Sequence, residues 1–207
     1  MCHHFRLLSE ARELARQFKA KIFDAQIPLP FGDFYPLSDV PVIGLDDDCQ
    51  RIIRPMEWGL LPIWWKPSGR KTSRKSFQRK CFNAHSETID SKPTFRAAFK
   101  ERRCLIPATE FMEKGHYFHF PGHLLFAFAG LWEHWHSDEG VVESCTIVTT
   151  TPNAEIRSVG HHRMPVVLSE ESDWALWLDP EVVDAEPLQE LLQPSPEGTF
   201  EIRKADD

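Results

Sequence analysis

Four strand-like runs follow one another in the middle of the chain: CLIPATEFME (104–113), HYFHF (116–120), LLFAFAGLWEHW (124–135) and ESCTIVTTT (143–151). Each run is rich in β-branched, aromatic or aliphatic residues, and glycine, proline or charged residues separate one run from the next, as between strands joined by turns. Because successive strands outnumber the helical patterns, they predict the α+β class. We expect a mostly antiparallel β-sheet that is curved or partly closed.

Helical patterns lie on either side of this block. They cover residues 10–22 behind a capping Ser9, PTFRAAFKERR (93–103), SDWALWL (172–178) behind a capping Ser169, and Leu188–Leu192. PNAEIRSVGHH (152–162) is a short helix or a turn. With 207 residues and no internal repeat, the sequence predicts a single domain over 1–207 with an acidic C-terminal end. We expect the last ~15 residues to be loose, as chain ends commonly are.

The composition excludes several classes of protein. No apolar run reaches the roughly 18 residues that a membrane span needs, and the first residues lack the basic and apolar regions of a secretory signal. The five scattered cysteines contain no CxxC pair and form no disulfide framework, so we expect a cytoplasmic protein. Their strand-like or apolar surroundings predict that Cys49, Cys81, Cys104 and Cys145 are buried and inert.

Charge is unevenly distributed along the chain. The net charge is −7, but residues 169–207 carry a net −10 and residues 1–168 a net +3. The stretch KPSGRKTSRKSFQRK (66–80) holds seven basic residues and no acid. Such a run is either a solvated loop or a surface for phosphates, and clustered Lys and Arg supply the sequence-independent part of nucleic-acid affinity. The local charge favours a polyanion.

The histidines do not predict a metal site. The spacing of His116, His119 and His123, and that of His134 and His136, would suit a metal ion. No cluster of cysteines or carboxylates completes either set, however, and histidines on one strand face are typical of a half-exposed sheet surface. We expect no metal and no cofactor.

Cys2 stands out by its position, directly behind Met1. Removal of Met1 would leave an α-amine with an ordinary pKa of about 7.7–8.0 beside a thiol with a pKa near 8.5, so both groups would be partly deprotonated near neutral pH. The amine can form an imine with an aldehyde, and the thiolate can then close a five-membered thiazolidine on the same carbon. An internal cysteine cannot perform this reaction.

Three further stretches place acid–base groups around this nucleophile. Asn83 lies just after a strand-like run in CFNAHSET, Glu110 lies within an apolar run, and His161 precedes the buried MPVVL. An asparagine can hold an amine by hydrogen bonds, a glutamate in apolar surroundings can have a raised pKa, and a histidine exchanges protons near pH 7.

The motifs resemble the SRAP family, the SOS-response-associated, abasic-site-processing proteins that are also described as peptidases. The resemblance is carried by the initial MC, WGLLPIWW (58–65), NAxSET (83–88), RCLIPAxEFxE (103–113) and HxRMPVVL (161–168), in family order and over most of the chain. It implies a single domain built on a curved, barrel-like β-sheet flanked by helices, with single-stranded DNA bound in a groove over the N-terminus. It also implies covalent capture of abasic sites through Cys2, in a lyase-type crosslinking reaction.

The resemblance also implies roles for individual residues. The Cys2 amine and thiol would react with the C1′ aldehyde, Asn83 would orient the N-terminus, and Glu110 and His161 would move protons. Peptidase-like self-cleavage that exposes Cys2 belongs to the family description, although only Met1 precedes it here. The residues expected to contact DNA are His4, Trp64, Trp65, Arg70, Lys71, Arg74, Lys75, His85 and Arg163.

Two departures affect the expected DNA contacts. The family's MCGR opening is MCHH here, and its NAR is NAH, so His4 and His85 replace two arginines. We expect the basic stretch 66–80 to compensate for them in part. Two other functions stay open: a cysteine peptidase with Cys2 as nucleophile and His161 as base, and a non-catalytic binder of single strands. We expect a monomer in each case.

Overall fold

The computed structural model describes residues 2–67, 73–138 and 140–205, which form fourteen strands and five α-helices. The strands are β1 Phe5–Leu7, β2 Lys21–Ile22, β3 Gly32–Phe34, β4 Asp39–Leu45, β5 Arg51–Trp58, β6 Asn83–His85, β7 Arg103–Ala108, β8 Glu110–Glu113, β9 His116–His119, β10 Phe126–Ser137, β11 Gly140–Thr150, β12 Met164–Pro165, β13 Val167–Leu168 and β14 Glu201–Lys204. The helices are α1 Ala11–Gln17, α2 Arg74–Gln78, α3 Arg96–Glu101, α4 Ala154–Ser158 and α5 Glu171–Leu178.

Five of the strands close into a barrel. Strands β11, β10, β7, β4 and β5 are neighbours in that order, and β5 pairs back onto β11. This closing pair is parallel whereas the other four pairs are antiparallel, so the barrel is mixed. Closure satisfies the backbone groups that an open sheet leaves at its edges. The predicted α+β fold with a curved, barrel-like sheet is confirmed.

A second sheet, in the order β14-β9-β8-β1-β3, is joined to the barrel by buried aromatic rings. Phe5 of β1 meets Trp58 edge-on with ring centroids 5.2 Å apart, and Phe128 edge-on at 5.4 Å. All three side chains are fully buried. Edge-to-face contacts of this kind add to the stabilisation from apolar burial. They fix β1, and hence the Cys2 just before it, against the barrel.

The first helix is shorter than the sequence predicts. It ends at Gln17 instead of residue 22, because Lys19 adopts a left-handed conformation with φ of 49°. The next residues, Lys21 and Ile22, form β2 and pair with β5. Glu10, and not Ser9, occupies the capping position, without a side-chain hydrogen bond. The helical pattern of apolar residues extends to residue 22, but the structure pairs the last of these residues with β5 instead.

The C-terminal segment also differs from the sequence expectation. The helix predicted over Leu188–Leu192 is only a 3-10 turn, Glu186–Leu188. The end that was expected to be loose contains β14, which pairs antiparallel with β9 over four residues. Arg203 of β14 also reaches the Glu110 carboxylate at 3.3 Å. Pairing with a distant strand therefore orders a segment whose own sequence is highly polar.

Candidate active site at the amino terminus

The site is centred on Cys2, which is fully buried at the start of β1. The Asn83 side-chain amide donates to the Cys2 carbonyl oxygen at 2.8 Å. The Cys2 thiol faces the carbonyl oxygen of His4 at 3.8 Å. Asn83 is itself fixed because β6 pairs in parallel with β11, with Asn83 opposite Ile147. The predicted proximity of Asn83 to the N-terminus is thus present in the structure.

The buried Glu113 and the partly buried His161 form a pair near Cys2. The Nε2 atom of His161 lies 3.1 Å from Oε2 of Glu113, and the His161 Nδ1 lies 2.7 Å from the carbonyl oxygen of Arg163. The Arg163 backbone N–H also lies 3.3 Å from this Nδ1. The shorter 2.7 Å contact between two acceptor-capable atoms requires a proton on Nδ1, which donates to the carbonyl, so that Nε2 is the unprotonated nitrogen of the neutral ring. The pair can share one proton.

Burial makes this pair suitable for proton transfer near neutral pH. It raises the pKa of Glu113 from 4.5 to about 7 and lowers the pKa of His161, because both charged forms lose hydration. Burial, followed by the negative charge of Glu113, raises the pKa of the Cys2 thiol well above its ordinary value. An ionised Glu113 therefore disfavours the thiolate, whereas a Glu113 that accepts the thiol proton does not.

The raised pKa of Glu113 has a consequence for stability. The ionised form is disfavoured in the folded state, so the cost of burying Glu113 is absent below pH 4.5 and grows as pH rises to 7. We expect Glu113→Gln to match wild-type stability near pH 4 and to exceed it by about 3 kcal/mol at pH 8. Urea unfolding at both pH values measures this difference. A stability difference independent of pH would contradict the burial argument.

Glu110, the glutamate that the sequence favoured, lies elsewhere. It accepts from Arg6 at 3.0 Å and from Arg203 at 3.3 Å and is also buried. Residues 110 and 113 are an odd number of positions apart on β8, so their side chains point to opposite faces of the strand. Glu113 shares its face with the core residue Phe111. The alternation in EFME is therefore the signal that could have pointed to Glu113, once Phe111 is known to face the core.

Arg163 is held next to the pair by a carboxylate. Its guanidinium contacts both carboxylate oxygens of Glu87, at 2.6 and 2.9 Å, and donates to the Thr149 carbonyl oxygen at 2.6 Å. His85 follows Asn83 on β6, opposite Thr149. Burial, and then the positive charge of Arg163, lowers the pKa of His85, so this side chain is neutral at pH 7.

A family model described as SOS response associated peptidase (SRAP) matches residues 1–207. The chain belongs to the SRAP family. The abasic site processing protein YoqW of Bacillus subtilis is 34% identical over 209 residues, which cover 94% of this SRAP chain and 87% of YoqW. The abasic site processing protein HMCES of Pongo abelii is 29% identical over 191 residues, which cover 74% of this chain and 52% of HMCES.

Solved structures share the SRAP fold. A protein from Bacteroides thetaiotaomicron superposes with a TM-score of 0.82 at 23% identity, covering 98% of this chain and 91% of the other. A protein from Bordetella bronchiseptica superposes with a TM-score of 0.78 at 22% identity, covering 98% and 99%. At these identities the likeness bears on the fold alone.

The residues expected to contact DNA differ in their exposure to solvent in the SRAP chain. Trp64 is half exposed and donates to the Pro93 carbonyl at 3.3 Å, whereas Trp65 is buried and its ring packs on Trp135. His4 is also buried, 2.5 Å from a carboxylate oxygen of Asp33. Trp64 is therefore available for stacking, and the side chains of Trp65 and His4 are not.

The basic stretch is partly neutralised where it is described. Arg74 and Lys75 lie on α2, a helix in a stretch without a predicted element, and both contact the carboxylate of Glu57. Arg70 and Lys71 lie outside the described residues. Compensation by the stretch 66–80 therefore stays a prediction.

Other expectations can be compared with the described part of the SRAP chain. It contains no group of three His, Cys, Asp or Glu residues that could hold a metal ion, and none of its helices is long and apolar enough to cross a membrane. Each of the five cysteines is a free thiol, and Cys49 is exposed, contrary to the expectation. Cys49 lies in a turn with φ of 56°, where the chain leaves β4.

Proposed function

We propose that the protein captures abasic sites in single-stranded DNA by a covalent bond to Cys2 after Met1 is removed. The observation that carries this proposal is the arrangement at the start of β1, where Asn83 holds Cys2 beside the Glu113–His161 pair. The names of the relatives YoqW and HMCES, which describe abasic site processing, support the choice of substrate.

Asn83 is suited to orient the amine that attacks. Its Nδ2 donates to the Cys2 carbonyl oxygen. Its Oδ1 is buried and accepts no hydrogen bond from the residues that the structure describes. A buried acceptor without a partner is energetically costly. In the processed protein, the α-amine of Cys2 would supply a donor close to this oxygen. Asn83 would then hold both ends of the Cys2 main chain.

The reaction needs two bonds to the C1′ carbon of the ring-opened sugar. The Cys2 amine adds to the aldehyde and forms an imine, and the aldehyde oxygen leaves as water. The thiol sulfur then adds to the imine carbon, and the thiol proton is transferred to the nitrogen. Glu113, with its pKa of about 7, would accept and donate these protons together with His161. The product is a thiazolidine.

The raised pKa of the Cys2 thiol disfavours the peptidase alternative. A peptidase nucleophile must be a thiolate before it attacks, and catalytic cysteines accordingly have lowered pKa values. Burial and Glu113 shift the pKa of Cys2 in the opposite direction. In thiazolidine formation the amine attacks first, and the thiol adds within the same residue. This order tolerates a protonated thiol.

A trapping experiment tests the proposed function. The processed protein is incubated with a single-stranded oligonucleotide that carries one abasic site, and with the same oligonucleotide after borohydride has reduced its aldehyde to an alcohol. We expect a slowly migrating conjugate on a denaturing gel with the aldehyde alone. A conjugate with the reduced site, or none with either, would contradict the proposal.

Asn83→Ala should slow capture without abolishing it. The substitution removes the hydrogen bond to Cys2 and the acceptor for its amine, and lost positioning of this kind costs about tenfold in rate. Asn153→Ala is the matched control, because Asn153 is also buried but caps α4 through Ile156 N. Single-turnover rates on abasic DNA compare the two variants. Equal rates for Asn83→Ala and wild type would exclude an orienting role.

A further inference from the structure

The exposed edge of the Arg163 guanidinium is occupied by Glu87. The two contacts, at 2.6 and 2.9 Å, are parallel and bidentate. A carboxylate and a phosphate present the same pair of oxygens to a guanidinium, so an arginine binds either in this geometry. The side chain of Arg163 is 17% exposed, whereas that of Glu87 is 44% exposed. Glu87 therefore lies on the solvent side of Arg163.

The inner side of Arg163 is fixed independently of Glu87. Nη2 donates to the Thr149 carbonyl oxygen at 2.6 Å and lies 3.3 Å from the Thr149 hydroxyl oxygen. The Arg163 carbonyl accepts from His161 Nδ1. The arginine thus keeps its place when its outer partner changes. Glu87 lies in the short 3-10 turn Ser86–Thr88.

Glu87 determines the local charge around Arg163. Glu87 keeps its negative charge down to low pH, since the Arg163 hydrogen bonds lower its pKa. His85 beside it is neutral at pH 7, because burial and Arg163 lower its pKa. Glu87 consequently cancels the positive charge that Arg163 would offer to a polyanion, at the end of β6, the strand that carries Asn83.

We propose that Glu87 is an internal substitute for a DNA phosphate and that a phosphate of the bound strand must displace it from Arg163. This inference rests on the proposed function and adds a determinant of specificity to the same site. Non-specific binding of polyanions is weakened, because each polyanion must compete with the Glu87 carboxylate for Arg163. A strand whose sugar engages Cys2 supplies the phosphate at high local concentration and displaces Glu87.

Glu87→Gln tests the inference on binding alone. An undamaged single-stranded oligonucleotide should bind about three- to fivefold more tightly, the range expected when an exposed ion pair no longer competes. The slope of log K against log salt concentration should steepen by about 0.7, the increment for one more phosphate contact on a single strand. Fluorescence anisotropy over a salt series measures both quantities.

Glu143→Gln is the matched control. Glu143 pairs with Arg54 at 2.8 Å and is 33% exposed, so the substitution removes the same charge from a similar ion pair. It lies six residues before Thr149 on β11, about 20 Å away along an extended strand. We expect Glu143→Gln to leave the salt slope unchanged. An equal change of the salt slope in both variants would show that Glu87→Gln acts only through the net charge of the protein, and would overturn the inference.

Glu87→Asp provides a second variant with the charge retained. Its shorter side chain withdraws the carboxylate from Arg163, so affinity should rise above wild type even though the net charge is the same. If Glu87→Gln fails to fold, the affinity of Glu87→Asp for the undamaged strand tests the inference instead. Binding equal to or weaker than wild type would show that Glu87 only positions Arg163, and would overturn the inference.

Capture of abasic DNA at saturating protein is measured on the same samples. Wild-type protein that binds the undamaged strand but never captures the abasic one contradicts the proposed function and leaves the Glu87 comparison valid. Normal capture with an unchanged salt slope in Glu87→Gln overturns the Glu87 inference alone. Absence of any binding at low salt overturns both.

Discussion

Cys2→Ala should abolish the heat-stable conjugate with abasic DNA, with a loss of at least about 100-fold in yield. Alanine is small enough to allow Met1 removal, so the α-amine remains and can still form an imine. An imine hydrolyses during denaturation, whereas a thiazolidine does not depend on a reductant to persist. The variant should therefore form a conjugate only when borohydride is added during incubation.

Two comparisons make this result specific. Cys49→Ala removes an exposed thiol elsewhere on the surface and should leave capture unchanged. Cys2→Ala should also keep wild-type affinity for undamaged single strands, since the Cys2 side chain is buried and not part of a charged surface. A full yield of heat-stable conjugate from Cys2→Ala would exclude the proposed chemistry and favour a protein that merely binds DNA.

Glu113→Gln should lower the rate of capture by about 10²–10³, the usual contribution of a positioned general acid–base group. Glutamine keeps the size of the side chain but neither accepts nor donates a proton. The wild-type rate should change with pH around 7, where Glu113 titrates, and the residual rate of the variant should lack this step. Single-turnover capture between pH 5.5 and 8.5 measures both effects.

Glu110→Gln is the matched control on the same strand. Glu110 joins Arg6 and Arg203 and has no contact with the pair at His161. Its replacement should leave the capture rate within about threefold of wild type and destabilise the fold by about 1–3 kcal/mol, because two buried charge-assisted hydrogen bonds weaken. A large loss of rate in Glu110→Gln with normal rates in Glu113→Gln would restore the assignment made from the sequence.

The strands and a mostly antiparallel sheet follow from local pattern, the barrel-like closure was implied by the family resemblance, and the sequence also singled out Cys2, Asn83 and His161 as candidates. The choice between Glu110 and Glu113 needed the register of β8, since both occur in the same motif and only one lies on the face of Phe111. Trp64 and Trp65 are likewise adjacent but face solvent and core respectively. The face that each residue presents to the core is set by the tertiary structure and not by the local sequence.

Contacts between residues far apart in the chain could not be predicted from the local sequence pattern. Nothing local to EIRK (201–204) indicates a strand, because its order comes from pairing with β9 and from the contact of Arg203 with Glu110. Nor does NAHSET reveal that Glu87 meets Arg163, 76 positions later. His4 resembled an exposed substitute for a phosphate-binding residue, but Asp33 and the ring of Tyr35 enclose it.

The most direct test of the account is the intact mass of the conjugate between processed protein and an oligonucleotide with one abasic site. Without reductant, the mass should equal the protein lacking Met1 plus the oligonucleotide, less one water, and borohydride added afterwards should not change it, since a thiazolidine has no imine to reduce. A gain of two hydrogens after borohydride would show that the amine alone had bonded. A conjugate that retains Met1 would contradict the central claim outright.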